Sequence, residues 1–172
     1  QSFKVPQFAK VDWEAKTLKI PKFTTPFKFK GKYSGELLKI NSVTISKNAS
    51  GKYFASIQGE FELPEKESTG EIIGIDLGIK TLLVDSNGTE IRNERFLRKH
   101  LKKLKYLQRQ HSKKKKGSKS REKSRIKLAK EYQRVTDQRN NYLHQVSSKL
   151  INDNQVIVLE DLAVKNMVKN HK

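Results

Sequence analysis

The chain has 172 residues, 34% of them hydrophobic, and 37 Lys/Arg against 18 Asp/Glu give it a net charge of +19. That length holds one large domain or two small ones, and the charge points to a polyanion, nucleic acid before an anionic membrane surface. The absence of Cys excludes disulfides and Cys-based zinc sites within the chain. With no apolar run near twenty residues and no signal peptide, the expectation is a cytoplasmic protein that does not span a membrane. Asn48-Ala-Ser50 and Asn87-Gly-Thr89 match the glycosylation sequon and, without a secretory signal, are read as chance matches. Met167 is the single Met, so the chain does not begin at a start codon and is expected to be a piece of a longer protein.

Residues 1–68 read as a β-rich domain of short strands. Val11-Asp-Trp13 and Thr17-Leu-Lys-Ile20 flank a turn, and Pro21 and Pro26 punctuate the stretch after it. Ser42–Ser46 and Lys52–Ile57 alternate in polarity around Asn48-Ala-Ser-Gly51, which predicts a hairpin. The polar stretch from Leu63 to Gly70, with its Pro and Gly, is the best domain boundary.

Residues 69–172 open with three predicted strands. Ile72–Leu77 and Thr81–Val84 come first, and a turn at Asp85-Ser-Asn87-Gly88 leads into Thr89–Ile91. Helical spacing comes next, with Leu97, Leu101, Leu104 and Leu107 on one face. Lys113-Lys-Lys-Lys116-Gly-Ser-Lys-Ser120 interrupts it as a mobile loop. A longer helix then carries Leu128, Tyr132, Val135, Tyr142, Val146 and Leu150 near a heptad spacing, broken by Arg139. The two helices form a hairpin over about 95–151, inserted before a last strand at Val156–Leu159, so the fold class is α/β with a mixed sheet.

Two constellations carry chemistry. Asp76 sits at the end of the apolar run Ile72–Leu77, and Glu160 ends the run Gln155–Leu159. An ionised carboxylate is costly to bury in an apolar strand without a cation, so a metal or phosphate-linked site is the first suspect. If the two strands are neighbours, the carboxylates can share divalent ions such as Mg²⁺ and serve phosphodiester hydrolysis. The plainer alternatives are a turn residue beside Gly78 for Asp76 and a helix cap for Glu160, with Asp161 as an acid at a helix N-terminus.

The second constellation is basic. Arg95–Arg134 holds eighteen Lys/Arg against two Asp/Glu, an excess of sixteen in forty residues. Left unneutralised, such charges repel along a helix, so a solvated face does not account for them. Candidate phosphate contacts are Arg98, Lys102, Lys105, Arg109, Lys113, Lys114, Lys115, Lys116, Arg121 and Arg125. His100, Tyr106 and His111 either stack on bases or pack between the helices, and packing is preferred.

Gly74-Ile-Asp76-Leu-Gly78-Ile-Lys80, the basic helical hairpin and Val158-Leu-Glu160-Asp161-Leu162-Ala-Val-Lys165-Asn-Met together resemble the OrfB/TnpB proteins of bacterial insertion sequences. Phe3-Lys-Val-Pro6 and Val43–Lys47 with Gly51–Ala55 are similar to the β-rich segment ahead of the nuclease domain in that family. The resemblance implies a small wedge-like or OB-like β-barrel domain followed by an RNase H-like, RuvC-type nuclease domain. It further implies RNA-guided DNA cleavage with Mg²⁺ or Mn²⁺, with DNA and a guide RNA as partners. Asp76 and Glu160 would match the first two catalytic, metal-binding carboxylates. The family's third catalytic Asp follows a four-Cys zinc segment that this chain lacks, so the isolated chain is expected to be inactive or nearly so.

Two other functions compete. One is a non-catalytic DNA- or RNA-binding regulator derived from the same family. The other is an ATPase of the actin and sugar-kinase group, which also uses a Gly-Ile-Asp-Leu-Gly-like strand. The ATPase reading requires further glycine-rich loops, whereas the chain has nine Gly without such a cluster and a basic segment with no role there.

Overall fold

A computed structural model describes residues 2–31, 36–62 and 70–162, and the chain divides into two compact units. One unit is Gln1–Lys66 with Lys113–Lys130, and the other is Glu67–Ser112 with Glu131–Lys172. Of the boundary expected over Leu63–Gly70, residues 63–69 lie outside the described residues, as does the motif beyond Leu162.

The first unit is built from hairpins. Strands β1 (Ser2–Val5), β5 (Glu36–Lys47) and β6 (Tyr53–Glu62) form an antiparallel sheet in the order β1-β5-β6. Strands β2 (Lys10–Asp12), β3 (Thr17–Lys19) and β4 (Phe27–Lys28) form a second one. Alternation decides what is buried. Val5, Leu18, Ile20 and Val43 fill the core, with Val11, Ile45 and Ile57 packed against them. The expected hairpin through Asn48–Gly51 is present and longer than the alternation predicts. The Asn48 side-chain oxygen accepts from the N–H groups of Ser50 and Lys52 at 3.1 and 3.0 Å, and Gly51 takes φ +86°. The sequon asparagine therefore shapes a turn.

The second unit carries a four-stranded mixed sheet in the order β10-β7-β8-β9, made of β7 (Ile72–Leu77), β8 (Thr81–Asp85), β9 (Glu90–Arg92) and β10 (Val156–Leu159). Its core is Ile73, Ile75 and Leu83, against which Ile91, Ile157, Val146 and Leu150 pack. The β8–β9 turn is an Asx turn. The Asp85 carboxylate accepts from the N–H groups of Thr89 at 2.7 Å and Asn87 at 3.0 Å, bonds that hold its pKa below the ordinary carboxylate value. Ser86 clasps the neighbouring strand, donating from its N–H to Gly74 O at 2.8 Å and accepting from Gly74 N–H at 3.2 Å.

Between β9 and β10 run α1 (Phe96–Ser112) and α2 (Lys119–Asp153). Of the leucine stripe on α1, Leu104 is buried while Leu97 and Leu101 remain exposed, so the contact seam is narrower than the spacing suggests. The loop expected over Lys113–Ser120 is a short hydrogen-bonded turn, and it ends earlier than expected because α2 is already helical at Lys119. Ser118 caps it: its Oγ accepts from Arg121 N–H at 3.1 Å and donates to Lys115 O at 2.8 Å. Tyr142 of α2 donates its hydroxyl to Arg92 O at 2.6 Å and meets Phe96 edge-on. No helix among the described residues is long and apolar enough to cross a membrane.

Candidate functional site

Strand β7, which ends just past Asp76, is an inner strand of the four-stranded sheet. It pairs in parallel with β10, matching Val156 to Ile72 and Leu159 to Ile75. The last matched pair, Leu159 with Ile75, stands one residue before Glu160 and Asp76 in their two segments. Partners in such a pair share a face. Ile73 and Ile75 point into the core, so Asp76 belongs to the opposite face, with Ile72 and Gly74.

Asp76 and Glu160 are both exposed. This corrects the expectation that Asp76 is a buried charge requiring a cation. The apolar run was read as covered on both faces, but β7 has α2 residues packed on the Ile73/Ile75 face, while Ile72, Val156 and Val158 are exposed on the other. Accessible carboxylates near the ends of two paired parallel strands still offer hard oxygen donors to a solvated cation.

Gly78, two residues beyond Asp76, has a structural reason. A Cβ there would stand 2.8 Å from the Thr81 carbonyl oxygen. Gly78 also donates its N–H to Leu82 O at 3.2 Å, closing the tight return from β7 to β8. The glycine in Asp76-Leu-Gly78 thus fixes where β7 ends.

The basic candidates separate into two groups. Arg98, Lys102, Lys105 and Arg109 follow a 4-3-4 spacing along α1, so they form one exposed stripe. Lys113–Lys116 are exposed in the interhelical turn, and none of these eight is ion-paired with another described residue. Arg121 and Arg125 are engaged within the protein. Arg121 donates to Lys114 O at 2.7 Å, and Arg125 holds Glu122 at 2.7 and 2.9 Å and lies 3.4 Å from Ala49 O.

Among the aromatic candidates, Tyr106 is exposed. Both ring nitrogens of His100 are in use between the helices, at 2.8 Å from Glu131 Oε1 and 2.9 Å from Gln138 Oε1. Sequence reasoning missed Glu131, which is only 5% exposed and also meets Lys103 at 2.8 Å and Arg134 at 3.4 Å. The Lys103 ammonium, then the His100 ring and Arg134, outweigh the burial and hold its carboxyl below the ordinary value. Glu131 is one of only two acids within the basic run Arg95–Arg134, which was the available signal.

The family model for OrfB of IS605, described as "Probable transposase", matches residues 43–171. A Streptomyces pristinaespiralis protein named "Putative RNA-guided DNA endonuclease" is 39% identical over 131 residues, 76% of this chain and 33% of that protein. The Escherichia coli K12 protein named "Putative RNA-guided DNA endonuclease InsQ" is 32% identical over 171 residues, 98% of this chain and 42% of that protein. The chain therefore spans less than half the length of these relatives.

Proposed function

The chain belongs to the OrfB/TnpB family, and on that premise we propose that it supplies part of a transposon-encoded, RNA-guided DNA endonuclease. In this reading the unit holding β7 and β10 is the RNase H-like, RuvC-type nuclease portion, and the β-rich unit is a wedge-like nucleic-acid-binding domain. Asp76 and Glu160 hold a divalent cation, Mg²⁺ or Mn²⁺, and the α1 stripe with Lys113–Lys116 holds the phosphates of DNA and guide RNA.

The observation that supports the reading is the parallel β7–β10 register, whose last pair, Leu159 with Ile75, immediately precedes Glu160 and Asp76. When bound, the cation supplies Lewis-acid stabilisation of phosphodiester hydrolysis. The protein's part is to orient both carboxylates on one sheet face and to neutralise phosphate with Lys and Arg. Two carboxylates with substrate oxygens and water suit Mg²⁺. Among the described residues no group of three or more His, Cys, Asp or Glu is placed to hold a metal ion, and in this reading a two-ion site takes a further ligand beyond Asp76 and Glu160.

The test is plasmid cleavage by the full-length protein with guide RNA and Mg²⁺. Asp76→Ala and Glu160→Ala should each remove cleavage while nucleic-acid binding persists. Unchanged cleavage in Asp76→Ala overturns the metal assignment. A second reading, a non-catalytic DNA- or RNA-binding regulator, draws on the charge excess and on the two-carboxylate limit. It predicts binding without cleavage by the full-length protein as well.

A further inference from the structure

We propose that a cleft on the β2–β3 hairpin binds one unpaired nucleotide of a single-stranded nucleic acid, stacking the base on Phe8 and Phe23 and holding phosphate with Lys10, Lys19 and Lys22. The inference rests on the reading that this chain's partner is nucleic acid, and it locates a contact apart from the basic helices. The cleft, about 220 Å³, is lined by these five residues together with Ile20 and Pro21.

The first observation is a like-charge pair. Lys10 and Lys19 are direct cross-strand partners in the β2–β3 register. Like charges directly opposite one another on a sheet are destabilising. The neighbouring acid does not relieve them, because Asp12 is committed to the turn, accepting from Ala15 N–H at 2.8 Å. No described residue forms an ion pair with Lys10, Lys19 or Lys22. An anion seated between them converts the repulsion into attraction.

The second observation is backbone strain at two cleft residues. Phe8 has φ 64° and Lys22 has φ 71°, a region that bulky side chains rarely enter. Lys22 follows Pro21 in a turn closed by Phe23 N–H donating to Ile20 O at 3.2 Å. The third position of such a Pro-led turn with positive φ favours Gly. A lysine held there spends conformational stability to present a charge.

The third observation is the rings. Phe8 is 82% exposed and Phe23 47%, although the core of this unit is filled by other residues. Phe23 is braced edge-on by Phe27 at 5.1 Å. Lysines alone suit a free phosphate and rings alone suit an apolar ligand. Rings and lysines in one cleft match a nucleotide, because every base presents a π-face.

The experiment is fluorescence anisotropy of the chain with a labelled ten-nucleotide single strand, as RNA and as DNA, and with the same sequence as duplex, over a range of salt. Phe8→Ala with Phe23→Ala should weaken single-strand binding roughly tenfold and leave the salt slope unchanged. Lys10→Gln with Lys19→Gln should lower that slope by about 0.7 for each phosphate no longer neutralised. Duplex affinity should hold in both. Whether the loss falls on RNA, DNA or both identifies the strand the cleft takes. Lys22→Gly relieves strain, so it should raise the melting temperature yet weaken single-strand binding, a combination that a structural role does not give. Folded cleft variants with wild-type affinity for both strands overturn the cleft. If Lys113–Lys116 variants lose binding in that same experiment, the nucleic-acid reading survives the cleft's failure. A wild-type chain that binds no nucleic acid overturns both.

Discussion

The His100 ring on α1 and the Glu131 carboxylate on α2 meet at 2.8 Å, with the carboxylate buried and the ring half-buried. The pair lies within the second unit, and Lys103 and Arg134 complete the cationic surround. Because the folded state depresses the Glu131 pKa, its stabilisation is full above the ordinary value of 4.5 and is lost as the pH falls through the lower folded value. Glu131→Gln should therefore cost about 1–2 kcal/mol at neutral pH and flatten the acid limb of the stability curve. Urea denaturation between neutral and acid pH checks this. An acid limb as steep in the variant as in the wild type would refute the role.

The second prediction concerns the turn behind Asp76. Gly78→Ala places a Cβ against a backbone carbonyl that cannot rotate away, so the β7–β8 return must shift. A loss of about 1–3 kcal/mol is expected, seen as a fall of a few degrees in melting temperature. Gly74→Ala is the control. Its added Cβ meets Ser86 Cβ at an ordinary 3.7 Å, and Ala is the better strand residue, so stability should hold or rise. Equal losses at both positions would mean that the clash is not what Gly78 avoids.

These two sites also mark what could be read from sequence. The bounds of β7 follow from its apolar run between Glu71 and Gly78, and the β5–β6 and β8–β9 hairpins follow from Asn and Gly turn chemistry. The exposure of Asp76 does not follow, because an apolar run reports an affinity for burial and not how many faces are covered. Nor does Glu131, whose partners depend on the mutual register of two helices thirty-one residues apart at the His100 contact. The pairing of the strands that lead to Asp76 and Glu160 was legible only conditionally. Whether their strands pair is decided by a crossover through two helices, which no local pattern reports.

The last prediction separates charge from structure in the interhelical turn. The hydrogen bonds that shape it use backbone oxygens, Lys114 O receiving Arg121 Nη1 and Lys115 O receiving the Ser118 hydroxyl. The four ammonium groups of Lys113–Lys116 take no part in those bonds. Replacing all four by Gln should therefore leave stability within about 0.5 kcal/mol. Duplex DNA affinity should fall, and its log–log salt slope should flatten by about 0.9 for each phosphate no longer neutralised. Arg121→Gln makes the opposite change, removing the donor to Lys114 O, so it should destabilise the turn more than it alters the slope. Anisotropy titrations from low to high salt, paired with thermal melts, distinguish the two. A quadruple variant with an unchanged slope would move the phosphate contacts off this turn and onto the α1 stripe of Arg98, Lys102, Lys105 and Arg109.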